Sequence, residues 1–123
     1  MDEELGTRLV LGVVMIVAGL LLIWMARAAA TGRLRRNRFA GLRIPSTMAS
    51  DEAWLAAHIR AQGLIIAAGI VSLVYGLSAF LPVSIMVVTL GALVTCMVIL
   101  ALMVYAMVVG DQAAKAAAKE TAG

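Results

Sequence analysis

The chain has 123 residues, 63% of them hydrophobic and only 14% charged, with a mean hydropathy of +1.03. A soluble domain of this size has too little interior to hide so much apolar surface, so the composition excludes an ordinary water-soluble globule. The net charge of +3 is local: the basic excess lies beside apolar runs, where anionic lipid and the positive-inside bias account for it without a nucleic-acid partner.

Met1 to Thr7 is short and acidic, with Asp2, Glu3 and Glu4. A secretory signal peptide starts basic, which argues against one, although Ala28-Ala29-Ala30 resembles a small-residue cleavage site. The apolar run between them, residues 9–26, carries no charge. It is long for a signal core and adequate for a spanning helix, so an uncleaved first transmembrane helix is expected. Gly12 and Gly19 lie seven apart on one face, with Met15 and Ile16 between them. Small residues at helical spacing let a second helix approach, although glycine is also common in membrane helices. Trp24 and Arg27 suit the headgroup level at the end of the run.

Residues 27–60 are expected to form a loop and an interfacial helix. Thr31-Gly32 breaks or bends the first helix, and Arg33, Arg35 and Arg36 follow. With Arg27, Arg38, Arg43 and Arg60 they make seven arginines against two acids, Asp51 and Glu52. That bias marks the cytoplasmic side and puts the acidic N-terminus outside. Gly41 can take positive φ, and Ile44-Pro45 favours an extended step, so Asn37 to Pro45 reads as turn-rich. Ser50 is an N-cap ahead of Asp51 and Glu52, whose carboxylates suit a first helical turn. Trp54 and His58 share one face of that helix, and Leu55 and Ile59 form the adjacent apolar stripe.

In order, Asn37, Gly41, Arg43, Pro45, Thr47, Ser50, Asp51, Glu52, Trp54 and His58 resemble the motif of the SdpI-like bacterial membrane proteins. That family carries Asn-x-x-x-Gly-x-Arg-x-Pro, then Thr, an acidic pair and Trp-x-x-x-His. The motif spans about a fifth of this chain, and the helix pair after it fits in hydropathy. Ser46 departs from the pattern, because many members carry an aromatic residue there. The family namesake is an immunity and signalling protein against a secreted toxin, whereas most members have no assigned role. The resemblance therefore implies a bacterial cell-membrane protein and a motif site at Asn37, Gly41, Arg43, Pro45, Thr47, Asp51, Glu52, Trp54 and His58.

From Ala61 to Val109 the chain is almost wholly apolar, and Pro82 divides it. Residues 63–81 and 83–109 are expected to form the second and third spans, joined by a tight outer turn. Ala68, Ser72 and Gly76 recur every four residues, with Gly69 beside them, and Gly91 and Thr95 repeat the spacing in the third span. These are helix-packing stripes. The third span exceeds a bilayer's need, so it tilts or protrudes. The tail, residues 110–123, is Ala-rich, with Lys115 and Lys119 four apart. It carries no motif and is expected to continue the helix into the cytoplasm as a solvated, fraying end.

The fold expected is therefore an all-α, single-domain membrane protein with three transmembrane helices, N-terminus outside and C-terminus cytoplasmic. None of the three spans holds an Asp, Glu, Lys, Arg or His, which argues against a self-contained pump or antiporter. The single Cys96 has no partner in the chain and leaves the redox compartment open. One His and no Cys pair supply too few ligands for a metal site, and no other cofactor is implied. Ser50 or Thr47 with His58 is a conceivable nucleophile–base pair, but Ser50 is better explained as a cap, so no catalytic residue is assigned.

Arg43, between a turn glycine and a proline, is either a topology charge on lipid phosphate or a fixed fork for a carboxylate or phosphate, with Asp51 or Glu52 as internal partners. The family motif favours the fork. Arg33, Arg35 and Arg36 read as a loose, interchangeable basic run. His58 is either a structural ring on a carbonyl or Trp54, or a group titrating near neutral pH, with the structural role favoured. Two functional classes follow. One is an SdpI-like protein that recognises a toxin, peptide or lipid and holds a cytoplasmic partner at the loop. The other is an accessory subunit packing against a larger membrane protein complex, whereas a monomer or homo-oligomer alone fits the first. Membrane lipids are partners in either.

Overall fold

The computed structural model describes residues 2–122. It holds four helices in chain order: α1 (Glu3–Ala30), the short α2 (Pro45–Met48), α3 (Asp51–Ser78) and α4 (Ile85–Ala122). No strand occurs among the described residues. Helices α1, α3 and α4 are each long and apolar enough to cross a membrane.

Local chemistry sets the ends. Asp2 caps α1, its carboxylate accepting the Leu5 N–H at 2.6 Å, and Glu3 and Glu4 occupy the first turn. The helix stops at Thr31, whose hydroxyl donates back to the Arg27 carbonyl at 2.7 Å; Gly32 then takes φ +82°. Ser50 caps α3 by accepting the Ala53 N–H at 3.0 Å. The interfacial segment and the second span are thus one unbroken helix. At its far end Pro82 lies in the turn to α4, and the Tyr75 hydroxyl ties the two helices by donating to the Val88 carbonyl at 2.7 Å.

Helix α3 is the middle of the molecule, with α1 on one side and α4 on the other. The α1–α3 seam is built on glycine. A Cβ on Gly19 would stand 2.5 Å from the Gly69 carbonyl oxygen, and one on Gly69 would stand 2.8 Å from the Gly19 oxygen. Gly12 and Gly76 repeat the arrangement, at 3.1 and 2.8 Å. Between these pairs the Ser72 hydroxyl donates to the Met15 carbonyl at 2.7 Å. Ala68, Gly69, Ser72 and Gly76 are all buried. Where hydrocarbon surrounds a helix, such backbone proximity replaces the hydrophobic drive for association. On the other seam Gly91 faces the Tyr75 ring, whereas Thr95 is only half-buried and makes no side-chain hydrogen bond in the structure.

The shared core lies at the loop end of the bundle. Ala26, Leu42, Ala61, Ile65, Ala106 and Val109 form one buried cluster there. Further along the bundle α1, α3 and α4 line an apolar groove of about 380 Å³, with Met15, Leu22, Ser72, Cys96 and Met103 among its walls. Outward-facing Val10, Val13, Val17, Leu20 and Leu21 are exposed, as lipid-facing side chains are.

The start of the tail differs from its expected solvation. Ala106, Gly110 and Ala114 of α4 are buried, as are Ala53, Ala57 and Ala61 of α3. A Cβ on Gly110 would meet Ala57, and Ala114 clusters with Ala53 and Ala57. Two stripes of small residues at four-residue spacing therefore hold α4 to α3 beyond the apolar span, before the remainder becomes exposed.

Candidate functional site

The polar segment between α1 and α3 folds over the end of the bundle as a cap. Asn37 organises its first turn with both side-chain ends. Its Oδ1 accepts the Phe39 and Ala40 N–H groups at 2.8 and 2.9 Å, and its Nδ2 donates to the Arg35 and Ala40 carbonyls at 2.6 and 3.2 Å. This is an Asx turn, in which a short amide side chain stands in for backbone.

The chain then passes over Trp54 and His58. Gly41 adopts φ +106°, and a Cβ there would overlap the Trp54 ring and lie 2.9 Å from His58 Nε2. Glycine is required for conformation and for space. Trp54 is 3% exposed and His58 fully buried, with ring centroids 4.1 Å apart. Trp54 Nε1 donates to the Leu34 carbonyl at 3.0 Å. His58 Nε2 accepts the Leu42 N–H at 2.9 Å, while Nδ1 lies 2.7 Å from the Trp54 carbonyl. One ring nitrogen faces a donor and the other an acceptor, so the ring is neutral with its proton on Nδ1. Burial pushes the His58 pKa down, against a smaller upward pull from the Trp54 carbonyl. Both nitrogens are thereby occupied, Nε2 on the loop and Nδ1 on a carbonyl of its own helix.

Thr47 closes the second half. It is fully buried; its hydroxyl donates to the Leu42 carbonyl at 2.5 Å and accepts the Ile44 N–H at 3.2 Å. Pro45 opens the short helix α2, where a missing N–H costs nothing. Ser46 then reaches α4 by donating to Asp111, which is held in turn by Lys115 at 3.0 Å. These two bonds hold the Asp111 carboxyl below its usual range, the Ser46 bond contributing most. The serine at this departure from the motif is therefore a link between the cap and α4.

The arginines divide differently from the expectation. Arg43 pairs with neither Asp51 nor Glu52; the Gly41 turn carries it back toward the Asn37 turn, where its Nη1 donates to the Arg38 carbonyl. Asp51 instead faces Arg36 at 3.5 Å, and Arg36 also donates to the Met48 carbonyl at 2.7 Å. Arg36 is thus a strut between the two ends of the cap rather than a member of an interchangeable run. Glu52 is exposed, with no hydrogen bond or ion pair among the described residues. A cleft of about 290 Å³ opens beside these groups, lined by Gly32, Leu34, Arg35, Arg36, Asp51, Trp54 and Leu55. No group of three or more potential metal ligands occurs among the described residues.

The model of the SdpI/YfhL protein family matches residues 33–109, from the start of the arginine run through the third span. The chain belongs to the SdpI/YfhL protein family. The match takes in the whole cap and the α3–α4 hairpin, so the SdpI/YfhL region contains the Trp54–His58 core. With three apolar helices beside it, the SdpI/YfhL membership makes this a multi-pass membrane protein. No curated protein and no solved structure matches the chain.

Four contributors escaped the sequence reading. Arg8 donates to the Ala79, Leu81 and Val83 carbonyls and so caps the turn at the far end. Its signal was a lone cation at the head of an apolar run. Leu42 joins the core only because the loop folds inward, which its spacing did not announce. For Gly110 and Ala114 the signal was their four-residue spacing from Ala106.

Proposed function

We propose that this protein is a binding and signalling member of its family, whose cap recognises a toxin, peptide or lipid and holds a cytoplasmic partner on its arginine rim. The observation that carries this reading is the cap's construction. Asn37, Gly41, Thr47, Trp54 and His58 are spent on fixing the loop, while Arg35, Arg38 and Arg43 are left exposed around it. A preorganised ring of cations binds acidic groups without first ordering a mobile loop. An enzymatic role is not proposed: Ser50 and Thr47 serve the backbone, and His58 has no nitrogen free to act as a base. The arginine bias supports a cytoplasmic cap and C-terminus with an outer N-terminus in the bacterial cell membrane.

The runner-up, an accessory subunit of a larger complex, is favoured by the open groove between α1 and α4. Purification from native membranes in gentle detergent separates the readings, with Arg43→Lys and Arg33→Ala run in parallel. The binding reading expects a cap-dependent partner that Arg43→Lys loses and Arg33→Ala keeps, because an ammonium cannot reproduce the guanidinium fork. A stoichiometric large complex retained by both variants overturns it in favour of the accessory role.

A further inference from the structure

The outermost side chain of the cap is apolar. Phe39 is 90% exposed, more than any other large hydrophobic residue described. Yet it does not hang from a loose segment: the Asn37 side chain accepts its N–H and the next one, so the turn holds the ring outward. Two residues later the chain meets the end of the first apolar run. The Gly41 N–H donates to Met25 Sδ at 3.1 Å, and Leu42 packs with Ala26 and Ala61. Met25 and Ala26 are the last residues of the first apolar run. The Phe39 turn therefore sits beside the end of a span rather than above it in solvent.

Its neighbours are cations. Arg35 and Arg38 are exposed on the same turn, the Arg35 carbonyl accepting from Asn37 and the Arg38 carbonyl accepting from Arg43. No acid occurs between Arg27 and Ser50, and Asp51, the first to follow, faces Arg36. An exposed aromatic tip on a turn that also carries two exposed arginines matches the chemistry of an anionic leaflet. The ring enters below the phosphates and the arginines fork onto them. A bias that only sets orientation needs neither a fixed turn nor an aromatic tip.

We propose that the Asn37–Gly41 turn is an anionic-phospholipid site, with Phe39 inserted into the leaflet and Arg35 and Arg38 on lipid phosphates. It rests on the membrane placement of the three apolar helices, not on the partner-binding reading above. Anchored in this way, the cap is held against the leaflet as well as against the helices.

The chain has only two phenylalanines, Phe39 and Phe80, which makes the test direct. The full chain carrying 4-fluorophenylalanine is placed in nanodiscs of phosphatidylcholine, alone or with phosphatidylglycerol. Phe39→Leu assigns the two fluorine signals, and Phe80, at the other end of the bundle, reports folding. The Phe39 signal is expected to be broadened by a lipid spin-labelled near its headgroup and shielded from a soluble gadolinium chelate. Shielding should be several-fold stronger with phosphatidylglycerol. Arg35→Gln with Arg38→Gln should return it to the neutral-lipid value with the Phe80 signal unmoved, whereas Arg33→Gln should not. Equal shielding in the two lipids, or free access of gadolinium in both, overturns the proposal. Shielding that appears only when a second protein co-purifies also overturns it and makes Phe39 a protein contact.

Discussion

Gly41→Ala attacks the cap where it is tightest, and Gly32→Ala is its control. Both glycines have positive φ, +106° and +82°, so alanine at either costs about 1–2 kcal/mol in backbone strain. Only Gly41 lacks room. Its new methyl would overlap the Trp54 ring and crowd His58 Nε2, whereas nothing lies within 4 Å of the corresponding position at Gly32. Relief means moving Trp54 off the Leu34 carbonyl or His58 off the Leu42 N–H. Overpacking of this kind adds about 1–3 kcal/mol. Gly41→Ala should therefore lose about 2–5 kcal/mol and Gly32→Ala about 1–2 kcal/mol. The assay is reversible unfolding in mixed detergent micelles followed by tryptophan fluorescence, with proteolysis at Arg38 reporting the cap. Equal losses in the two variants, or a Gly41→Ala cap as resistant as wild type, would refute the packing argument.

His58 lies at the cap end of α3, under the loop, and its pKa is pushed below the ordinary 6.5. Protonation would put a second N–H against the Leu42 N–H. The cap's His58-dependent stability should be complete above about pH 6.5 and decline as the pH falls through the lower folded value, read as faster exchange of the Leu42 amide in acid; exchange independent of pH, after correction for intrinsic rates, would contradict it. Gly19→Ala should weaken the α1–α3 seam by about 1–3 kcal/mol, because its Cβ would meet the Gly69 backbone, while Gly63→Ala, with open space around it, should unfold in detergent like wild type. Arg8→Gln should loosen the α3–α4 turn, seen as faster amide exchange at residues 79–83 with the cap unchanged; an undisturbed turn would show that its carbonyls need no cation.

The legible parts were those dictated by solvent. Long uncharged runs state that the surroundings are hydrocarbon, and Gly12, Gly19, Ser72 and Gly76 state where helices approach, because only small side chains permit backbone contact without a hydrophobic drive. Ser50 announced a helix start for an equally local reason: its hydroxyl satisfies an amide three residues away. The motif residues were legible as a group, through resemblance.

Their partners were not. Arg43 had Asp51 and Glu52 as candidate partners inside the chain and lies on the Arg38 carbonyl, because the direction of a long side chain is decided by the turn beneath it. Arg36, which looked interchangeable, spans the cap because α3 begins beside it. Ser46 meets Asp111 across 65 residues of sequence, a pairing that no local pattern encodes.

By itself, the order of residues determined the membrane class, the number of apolar helices, the start of α3 and the glycine seam, since each follows from short-range sterics or from partition between water and lipid. Only the tertiary structure decided that the tail's first turns pack on Ala53 and Ala57, that His58 is locked as one neutral tautomer, and that Phe39 is turned outward from the cap. Those outcomes depend on where two distant backbones come to lie, and a hydrogen bond or a buried methyl is set by that distance.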